Sequence, residues 1–460
     1  METLTSSTRP VPKHPGLPML GNTLPFMRDP LAILQTLQQR YDRLVHLNIG
    51  GRHQYLVMTP EDAKHVLQEN HRNYGRSPAF RVLQIFLGNG LLTSDGDFWR
   101  RQRRLAQPAF HRQRLAALAQ TMISETTDWI TELSRLDKSK PVNISQAFMD
   151  VTMRIVCKTL FSSNVVGKLD GLSEALETLM HLSNNRMLSP FRFPMSWPTP
   201  PQRRFRRAAQ VVDTFIYGVI DQRRRSNERY DDLLDMLLYA EDEDTGDWPN
   251  SGRMSDKQLR DECVTIFAAG HETTAVSMAW TMHLLTQHPD VQARLRDEVN
   301  ERLGDAATPA PETFRSLTYA MQVIQESMRL YPPAWIMSRL AHADDQIGPY
   351  TIPAGDTALV SPYLLHHDPA NWPDPERFDP ERFAPGWEKE RHSYAYLPFG
   401  GGPRLCIGNQ FALMEMQILL TMLVRAFAFQ PIPNQRVKPQ PLITLRPKRP
   451  VWLLMSNQIS

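Results

Sequence analysis

The sequence lacks any uninterrupted apolar run of the ~18 to 20 residues that a membrane-spanning helix requires. Residues 1–22 are polar and contain several prolines, whereas a secretory signal would need an apolar core at that place. These two absences predict a cytoplasmic protein that has no membrane span.

Cysteine is scarce, and neither sign of charge is in large excess. The three cysteines, Cys157, Cys263 and Cys406, are odd in number and widely spaced, so they do not form a disulfide framework and a reducing compartment is expected. Lys and Arg total 52 against 49 Asp and Glu, a formal net charge of +3. That small surplus argues against general binding of nucleic acid.

The chain shows no internal repeat and no long flexible linker. We therefore expect one catalytic domain over residues 1–460, with about residues 1–25 as an extended lead-in. The run from Leu44 to Met58 contains two strand-like segments around two glycines, which predicts a hairpin. Helical patterns dominate from Pro60 to Leu330, and strand patterns return over Pro349–Val360 and near the C-terminus. The predicted fold class is mainly α with a small β-rich region.

One of the cysteines lies in the decapeptide FGGGPRLCIG at positions 399–408. Cys406 precedes an apolar helical run beginning at Gln410, and the amide groups and dipole of a helix N-terminus stabilise a thiolate. The glycines at 400–402 let the backbone turn tightly and pass close to a flat partner, while Arg404 is placed to meet a carboxylate on it. The decapeptide is a candidate loop for an iron-binding thiolate. The alternative is a free cysteine that serves as a small core residue.

The decapeptide resembles the ligand loop of the cytochrome P-450 superfamily, whose signature is Phe-x-x-Gly-x-Arg-x-Cys-x-Gly. Phe399, Gly402, Arg404, Cys406 and Gly408 fill its five fixed positions. The resemblance implies the cytochrome P-450 fold, an α-rich prism with a small β-rich region. It also implies haem b (iron protoporphyrin IX) as cofactor, with these residues at the haem, the Cys406 thiolate on the iron, and O2 as co-substrate.

A second segment, AAGHETT at residues 268–274, lies in a long apolar helical pattern. Ser255 and Gln258 have the spacing of a capping box and are predicted to begin this helix. Acid and alcohol side chains are costly to bury in such a helix unless they are used in function. The ordinary alternative is a polar seam between two helices.

The same segment resembles the oxygen-activation motif of the superfamily. The resemblance implies catalytic roles for Glu272, which would relay protons from solvent, and for Thr273, which would steer them during oxygen activation. Ala269 would lie at the cofactor, where Ala269 and Gly270 would leave room for dioxygen.

Glu326 and Arg329 are three residues apart, so they share one helix face and can form an ion pair. A solvated surface pair is the ordinary interpretation of this spacing. The superfamily has a buried Glu-x-x-Arg pair at this place, locked to a downstream arginine. Arg377 and Arg382 are the two candidates, and we favour Arg382 because it lies nearer the cysteine loop. The resemblance makes the three residues structural.

Buried propionates need cationic partners. Trp99 and Arg103 form the Trp-x-x-x-Arg pattern of the superfamily, which implies that both reach one haem propionate. Arg339 lies where the superfamily often places another propionate ligand. His367 stands where many relatives have arginine, and its propionate role is doubtful.

The resemblance also implies a substrate pocket with an apolar lining. Its expected residues are Phe80, Val82, Leu83, Phe86, Leu87, Ala268, Ala334, Trp335, Ile336, Met337, Leu442 and Ile443. Such a lining leaves terpenes, steroids, fatty acids and hydrophobic aromatics open as substrates.

The implied function is a haem-thiolate monooxygenase that hydroxylates or epoxidises a hydrophobic small molecule with O2 and two electrons. A peroxide-driven hydroxylase and a non-catalytic haem- or lipid-binding sensor are the alternatives. Because the chain ends shortly after the helix that follows Cys406, no fused reductase is expected. The enzyme would then receive electrons from a separate ferredoxin or flavodoxin, whose reductase takes them from NAD(P)H. We expect the enzyme to be a monomer. Arg100, Arg101 and Arg104 would form a docking patch for that acidic partner.

Overall fold

The structure, a computed structural model, describes residues 9–162, 169–189, 193–226, 228–230, 232–241, 253–304 and 309–457. Its α-helices are α1 Thr23–Arg28, α2 Pro30–Arg40, α3 Pro60–Lys64, α4 Phe80–Leu87, α5 Gly96–Ala106, α6 Arg112–Ser134, α7 Ile144–Phe161, α8 Leu169–Leu188, α9 Pro200–Arg225, α10 Leu233–Tyr239, α11 Asp256–Gln287, α12 Pro289–Leu303, α13 Pro311–Phe314, α14 Thr318–Leu330, α15 Pro362–His366 and α16 Asn409–Ala426. Its strands are β1 Leu44–Ile49, β2 Arg52–Val57, β3 Tyr74–Arg76, β4 Val142–Asn143, β5 Met337–Ala341, β6 Asp345–Ile347, β7 Tyr350–Ile352, β8 Thr357–Val360, β9 Phe427–Pro431, β10 Pro439–Pro441, β11 Leu445–Pro447 and β12 Trp452–Asn457.

The predicted hairpin is confirmed as the antiparallel pair β1 and β2. Gly50 and Gly51, between the two strands, both have positive φ, as a tight two-residue turn requires. The hairpin is one end of a five-stranded sheet in the order β1-β2-β8-β5-β3, in which β2 pairs with β8 in parallel. Because successive strand residues face opposite sides, Val45 and Leu47 enter one small apolar core and Leu44 enters another.

The larger core lies among the helices α6, α7, α11, α14 and α16. The predicted capping box begins α11, since the Ser255 hydroxyl accepts from the Gln258 amide at 3.3 Å and Gln258 Oε1 accepts from the Ser255 amide at 2.7 Å. Trp280, further along α11, stacks on Tyr331 and donates its indole N–H to the Leu445 carbonyl. Within the described ranges, no helix has both the length and the apolar character to cross a bilayer.

A buried ion cluster joins the end of α9 to α10. The Arg223 guanidinium donates to Asp232 at 2.6 and 2.7 Å, to Asp235 at 2.5 Å and to the Phe161 carbonyl at 3.0 Å. The Arg223, Asp232 and Asp235 side chains are almost inaccessible to solvent. The next residue, Arg224, pairs with Asp256 on the surface.

Arg223→Ala should lower the free energy of unfolding by about 3–5 kcal/mol, because it removes the cation that two buried carboxylates share. The matched control is Arg224→Ala, which should cost about 0–1 kcal/mol because its pair is exposed. Urea unfolding of both variants measures the difference. Equal losses in the two variants would contradict the structural role of the cluster.

Candidate active site

The loop that carries Cys406 is held against a turn near the N-terminus. A Cβ at Gly402 would overlap the carbonyl of Leu67, which lies in the π-helical turn His65–Glu69. Gly402 also has a φ of +66°, a conformation that favours glycine. The Cys406 amide then donates to the Phe399 carbonyl at 3.0 Å, three residues before α16 begins. The loop therefore closes on itself with the cysteine at its end.

The environment of Cys406 differs from that of the other two cysteines. Cys157 and Cys263 are fully buried, and burial raises the pKa of each thiol well above its usual range. Cys406 is exposed, yet surrounding protein still raises the pKa of its thiol, while the Gly408 amide and the Arg103 charge act in the opposite direction. A cysteine that has accessible surface, a backbone donor at its sulfur and a cation nearby is suited to bind a metal as the thiolate.

Helix α11 presents a short accessible face in its middle. The residues of α11 before Ala269 and after Thr273 are mostly buried, whereas Ala269 is exposed and Thr273 is half-buried. The Thr273 hydroxyl donates to the Ala269 carbonyl at 2.8 Å. Gly270, the next residue, faces α7: a Cβ added there would stand 3.3 Å from the Val156 side chain. Its small size allows close packing of α11 on α7, and the room that it would leave for dioxygen stays a prediction.

Glu272 is buried and carries an ion pair that sequence reasoning missed. Its Oε1 accepts from Thr444 at 2.7 Å and from the Arg446 guanidinium at 2.8 Å. Arg446 also contacts Glu177, at 3.3 Å, and the Glu177 side chain is largely exposed. These contacts form a chain of polar groups from the interior acid to solvent.

The pair Glu326 and Arg329 is entirely buried, with contacts of 2.7 and 2.8 Å. Arg382 approaches Glu326 at 3.5 Å, whereas the Arg377 guanidinium is 69% exposed. The structure thus places Arg382 in the cluster. His366, which the sequence reasoning did not identify, joins the cluster to the cysteine loop: its Nδ1 faces the Arg329 carbonyl at 3.1 Å and its Nε2 accepts from the Leu397 amide at 2.7 Å.

A sequence model of the family Cytochrome P450 matches residues 11–454. The chain belongs to the cytochrome P450 family. Cyclooctat-9-en-7-ol 5-monooxygenase of Streptomyces melanosporofaciens is 36% identical to it, over 91% of this chain and 90% of the relative. Cyclooctatin synthase of the same organism is 35% identical, over 94% and 92%. Pentalenene oxygenase of Streptomyces avermitilis is 32% identical, over 95% of each chain.

A solved structure confirms the predicted fold of this P450. The heme domain of cytochrome P450DA superposes with a TM-score of 0.88 and 25% identity, over 98% of both chains. The protein is accordingly an oxidoreductase, a P450 monooxygenase that uses haem iron.

Three arginines of this P450 that have little exposed surface fit the acidic edge of a haem. Arg76, Arg339 and Arg404 gather near Asp95, and Arg404 pairs with that carboxylate. Burial, and then the Arg404 charge, lower the pKa of Arg339 to about 10, and Arg76 Nε has no hydrogen-bond partner among the described residues. This excess of buried positive charge suits two propionates. Arg76 was not predicted, because it lies outside the recognised patterns.

Trp99 and Arg103 both contact the cysteine loop. Trp99 is buried, and the Arg404 guanidinium stacks over its ring at 4.2 Å from the centroid. Arg103 donates to the carbonyl of the next residue, Leu405, at 2.8 Å, beside Cys406. The contact of both residues with one haem propionate stays a prediction.

The predicted pocket residues divide into accessible and buried groups. Phe80, Ala334, Ile336, Met337, Leu442 and Ile443 retain accessible surface. Val82, Leu83, Phe86, Leu87 and Ala268 are buried. Trp335 is the clearest correction, since its ring packs against Phe26 in the core beside the five-stranded sheet and its indole N–H donates to the Leu442 carbonyl.

The expected docking patch also needs one correction. Arg100 and Arg104 are exposed, and Arg100 pairs with Asp97. Arg101 is only 3% exposed, because it lies on the face of α5 that turns into the protein. It cannot contact an incoming partner.

Glu326→Ala should fail to give haem-loaded protein, because it leaves Arg329 buried without its counter-ion at a cost of about 3–5 kcal/mol. Arg377→Ala is the control and should load haem normally, since that side chain is exposed. The ratio of haem to protein absorbance, measured after expression, distinguishes them. Normal haem content in Glu326→Ala would show that the cluster is not required for the fold around the cysteine.

Proposed function

We propose that this P450 hydroxylates or epoxidises a hydrophobic cyclic terpenoid, using O2 and two electrons from a separate ferredoxin or flavodoxin. The observation that carries the proposal is the exposed Cys406, with the Gly408 amide at its sulfur and the Arg103 charge nearby, in a protein whose α11 presents Ala269 and Thr273 as an accessible face. The terpenoid class is supported by the relatives, which are named for cyclooctat-9-en-7-ol, cyclooctatin and pentalenene.

The residues present would hold the cofactor at two ends. Cys406 would supply the thiolate ligand, and Arg76, Arg339 and Arg404 would neutralise the propionates. When bound, haem supplies the activation of dioxygen and the insertion of one oxygen atom into substrate. The protein contributes orientation, an apolar pocket and protons.

Proton delivery would use the polar chain that begins at the surface. Glu177 is exposed, Arg446 lies between it and Glu272, and Glu272 is one residue from Thr273 on α11. Glu272 would pass a proton inward, and the Thr273 hydroxyl would hold it at Oγ1, facing the accessible side of the helix.

Electrons would arrive on the cysteine side of the molecule. Arg103 contacts the cysteine loop, so its helix α5 lies beside that loop, and Arg100 and Arg104 of the same helix face solvent. Cationic side chains at this place would attract an acidic ferredoxin or flavodoxin and accelerate encounter. The reductase of that partner would draw on NAD(P)H.

Replacing the ligand tests the function directly. Reduced wild-type protein under carbon monoxide should absorb near the wavelength that gives the family its name, because only a thiolate-ligated haem does so. Cys406→Ser should lose that band, while Cys157→Ala, which changes a buried cysteine of α7, should keep it. Retention of the band in Cys406→Ser would overturn the assignment.

Thr273→Ala should still bind haem and substrate but should divert reducing equivalents to hydrogen peroxide, because the hydroxyl that holds the proton is missing. Thr273→Ser keeps a hydroxyl at the same place and should retain most of the wild-type coupling. The measurement is product formed per NADPH consumed with a surrogate ferredoxin and its reductase. Unchanged coupling in Thr273→Ala would mean that protons arrive by another route.

A further inference from the structure

Two adjacent carboxylates on α11 hold the segment at residues 88–94, which joins α4 to α5. Asp261 accepts from the Asn89 amide at 2.9 Å, and Glu262 accepts from the Leu91 amide at 2.9 Å. Consecutive helical residues point in different directions, so they seldom serve one short stretch of backbone. Both do so here because the segment wraps across the helix surface.

Two glycines make this close approach possible. Gly88 ends α4 with a φ of +67°, and a Cβ there would overlap the Asp261 carboxylate. A Cβ at Gly90 would overlap the Thr265 hydroxyl. The pattern Gly88-Asn89-Gly90 thus allows the backbone to lie directly on α11.

Asp261 has cationic partners, whereas no ion pair is seen for Glu262 among the described residues. Asp261 is paired with Lys257 at 2.8 Å and with Arg260 at 3.0 Å, and Arg260 also bonds to Asp213 on α9. Glu262 is 1% exposed, and its Oε1 has no hydrogen-bond partner within the described part of the chain. Burial and the neighbouring Asp261 charge raise the pKa of Glu262 to about 8, although the hydrogen bond from the Leu91 amide acts in the opposite direction.

We propose that Asp261 and Glu262 are positioning residues that attach the segment 88–94, and with it α4, to α11, and that Glu262 makes this attachment dependent on pH. Since α4 carries Phe80, a predicted pocket residue that retains accessible surface, and Ala269 lies two turns further along α11, the attachment sets the width of the substrate space. This consequence for substrate rests on the proposed function.

The direction of the pH effect follows from the two states of Glu262. Attached, the group is buried and holds its proton up to about pH 8; detached, it meets water and regains an ordinary pKa. The attached state binds more protons, so attachment weakens as pH rises toward 8 and levels off above it. The ionisable groups near this point on the surrounding elements include Lys257, Arg260, Asp261 and Cys263 on α11, Asp213 and Arg223 on α9, Asp232 and Asp235 at α10, and Arg81 on α4. Residues 88–94 contribute none, and Asp95 follows them as the cap of α5.

Amide hydrogen exchange of the holoprotein tests the attachment itself. After correction for intrinsic rates, the protection of Asn89 and Leu91 should fall by up to about tenfold per pH unit between pH 6 and 8. Glu262→Gln should remove that dependence, whereas Asp256→Asn, an exposed acid of the same helix, should keep it. The same pH dependence in Glu262→Gln, or no protection of either amide in wild type, would overturn the proposal.

Azole binding tests the consequence for the pocket. At one fixed pH, Asp261→Asn and Glu262→Ala should weaken 4-phenylimidazole severalfold and imidazole by less than twofold, because only the larger ligand reaches the α4 wall. Equal weakening of both azoles would show a change at the haem itself and would reject the positioning role. If neither azole shifts the wild-type spectrum, the proposed function fails, while the exchange experiment still decides the attachment.

Discussion

The buried pair of Glu326 and Arg329 organises the irregular stretch that follows α15. Arg329 donates to the carbonyls of His366, Pro375 and Arg377, and Glu326 accepts from the Asp379 amide. These backbone groups lie in a stretch without regular strand pairing, where buried carbonyls and amides would otherwise lack partners. One ion pair on α14 therefore replaces the hydrogen bonds that a sheet would supply. His366 extends the same support to Leu397, two residues before the cysteine loop begins.

Charge is distributed at the two sides of the site in opposite ways. Around Asp95, arginines outnumber carboxylates, and burial, followed by the charges of neighbouring arginines, lowers the pKa values of Arg76 and Arg339. At Glu262, a buried acid has no paired cation among the described residues. The first arrangement suits an anionic ligand that stays bound. The second stores a proton and leaves one backbone attachment sensitive to its loss.

The parts of this fold that could be predicted have local signals. The hairpin depends on Gly50 and Gly51, the start of α11 on Ser255 and Gln258, and the cysteine loop on ten consecutive residues. The contacts of Glu272 with Arg446 could not be predicted, because the two residues are far apart in sequence and neither pattern points to the other. Arg101 was misjudged for another reason.

Helix α5 carries arginine at positions 100, 101, 103 and 104, so polarity alone could not show which one turns inward. Trp335 was assigned to the pocket from its neighbours, whereas its ring packs against Phe26 and its indole N–H donates to the Leu442 carbonyl. Each error concerns the direction of a side chain, and direction depends on packing between distant elements.

The parallel pairing of β2 with β8 also orders events during synthesis. Residues 54–57 can pair only after residues 357–360 have been synthesised, about 300 residues later. At a translation rate of ~5–20 residues per second, this interval lasts roughly 15 to 60 s. During that interval the β1–β2 hairpin has an open edge that can pair with another chain. Cys406 emerges later still. The nascent polypeptide must therefore protect an unpaired strand before it can gain the stabilisation that a bound cofactor provides.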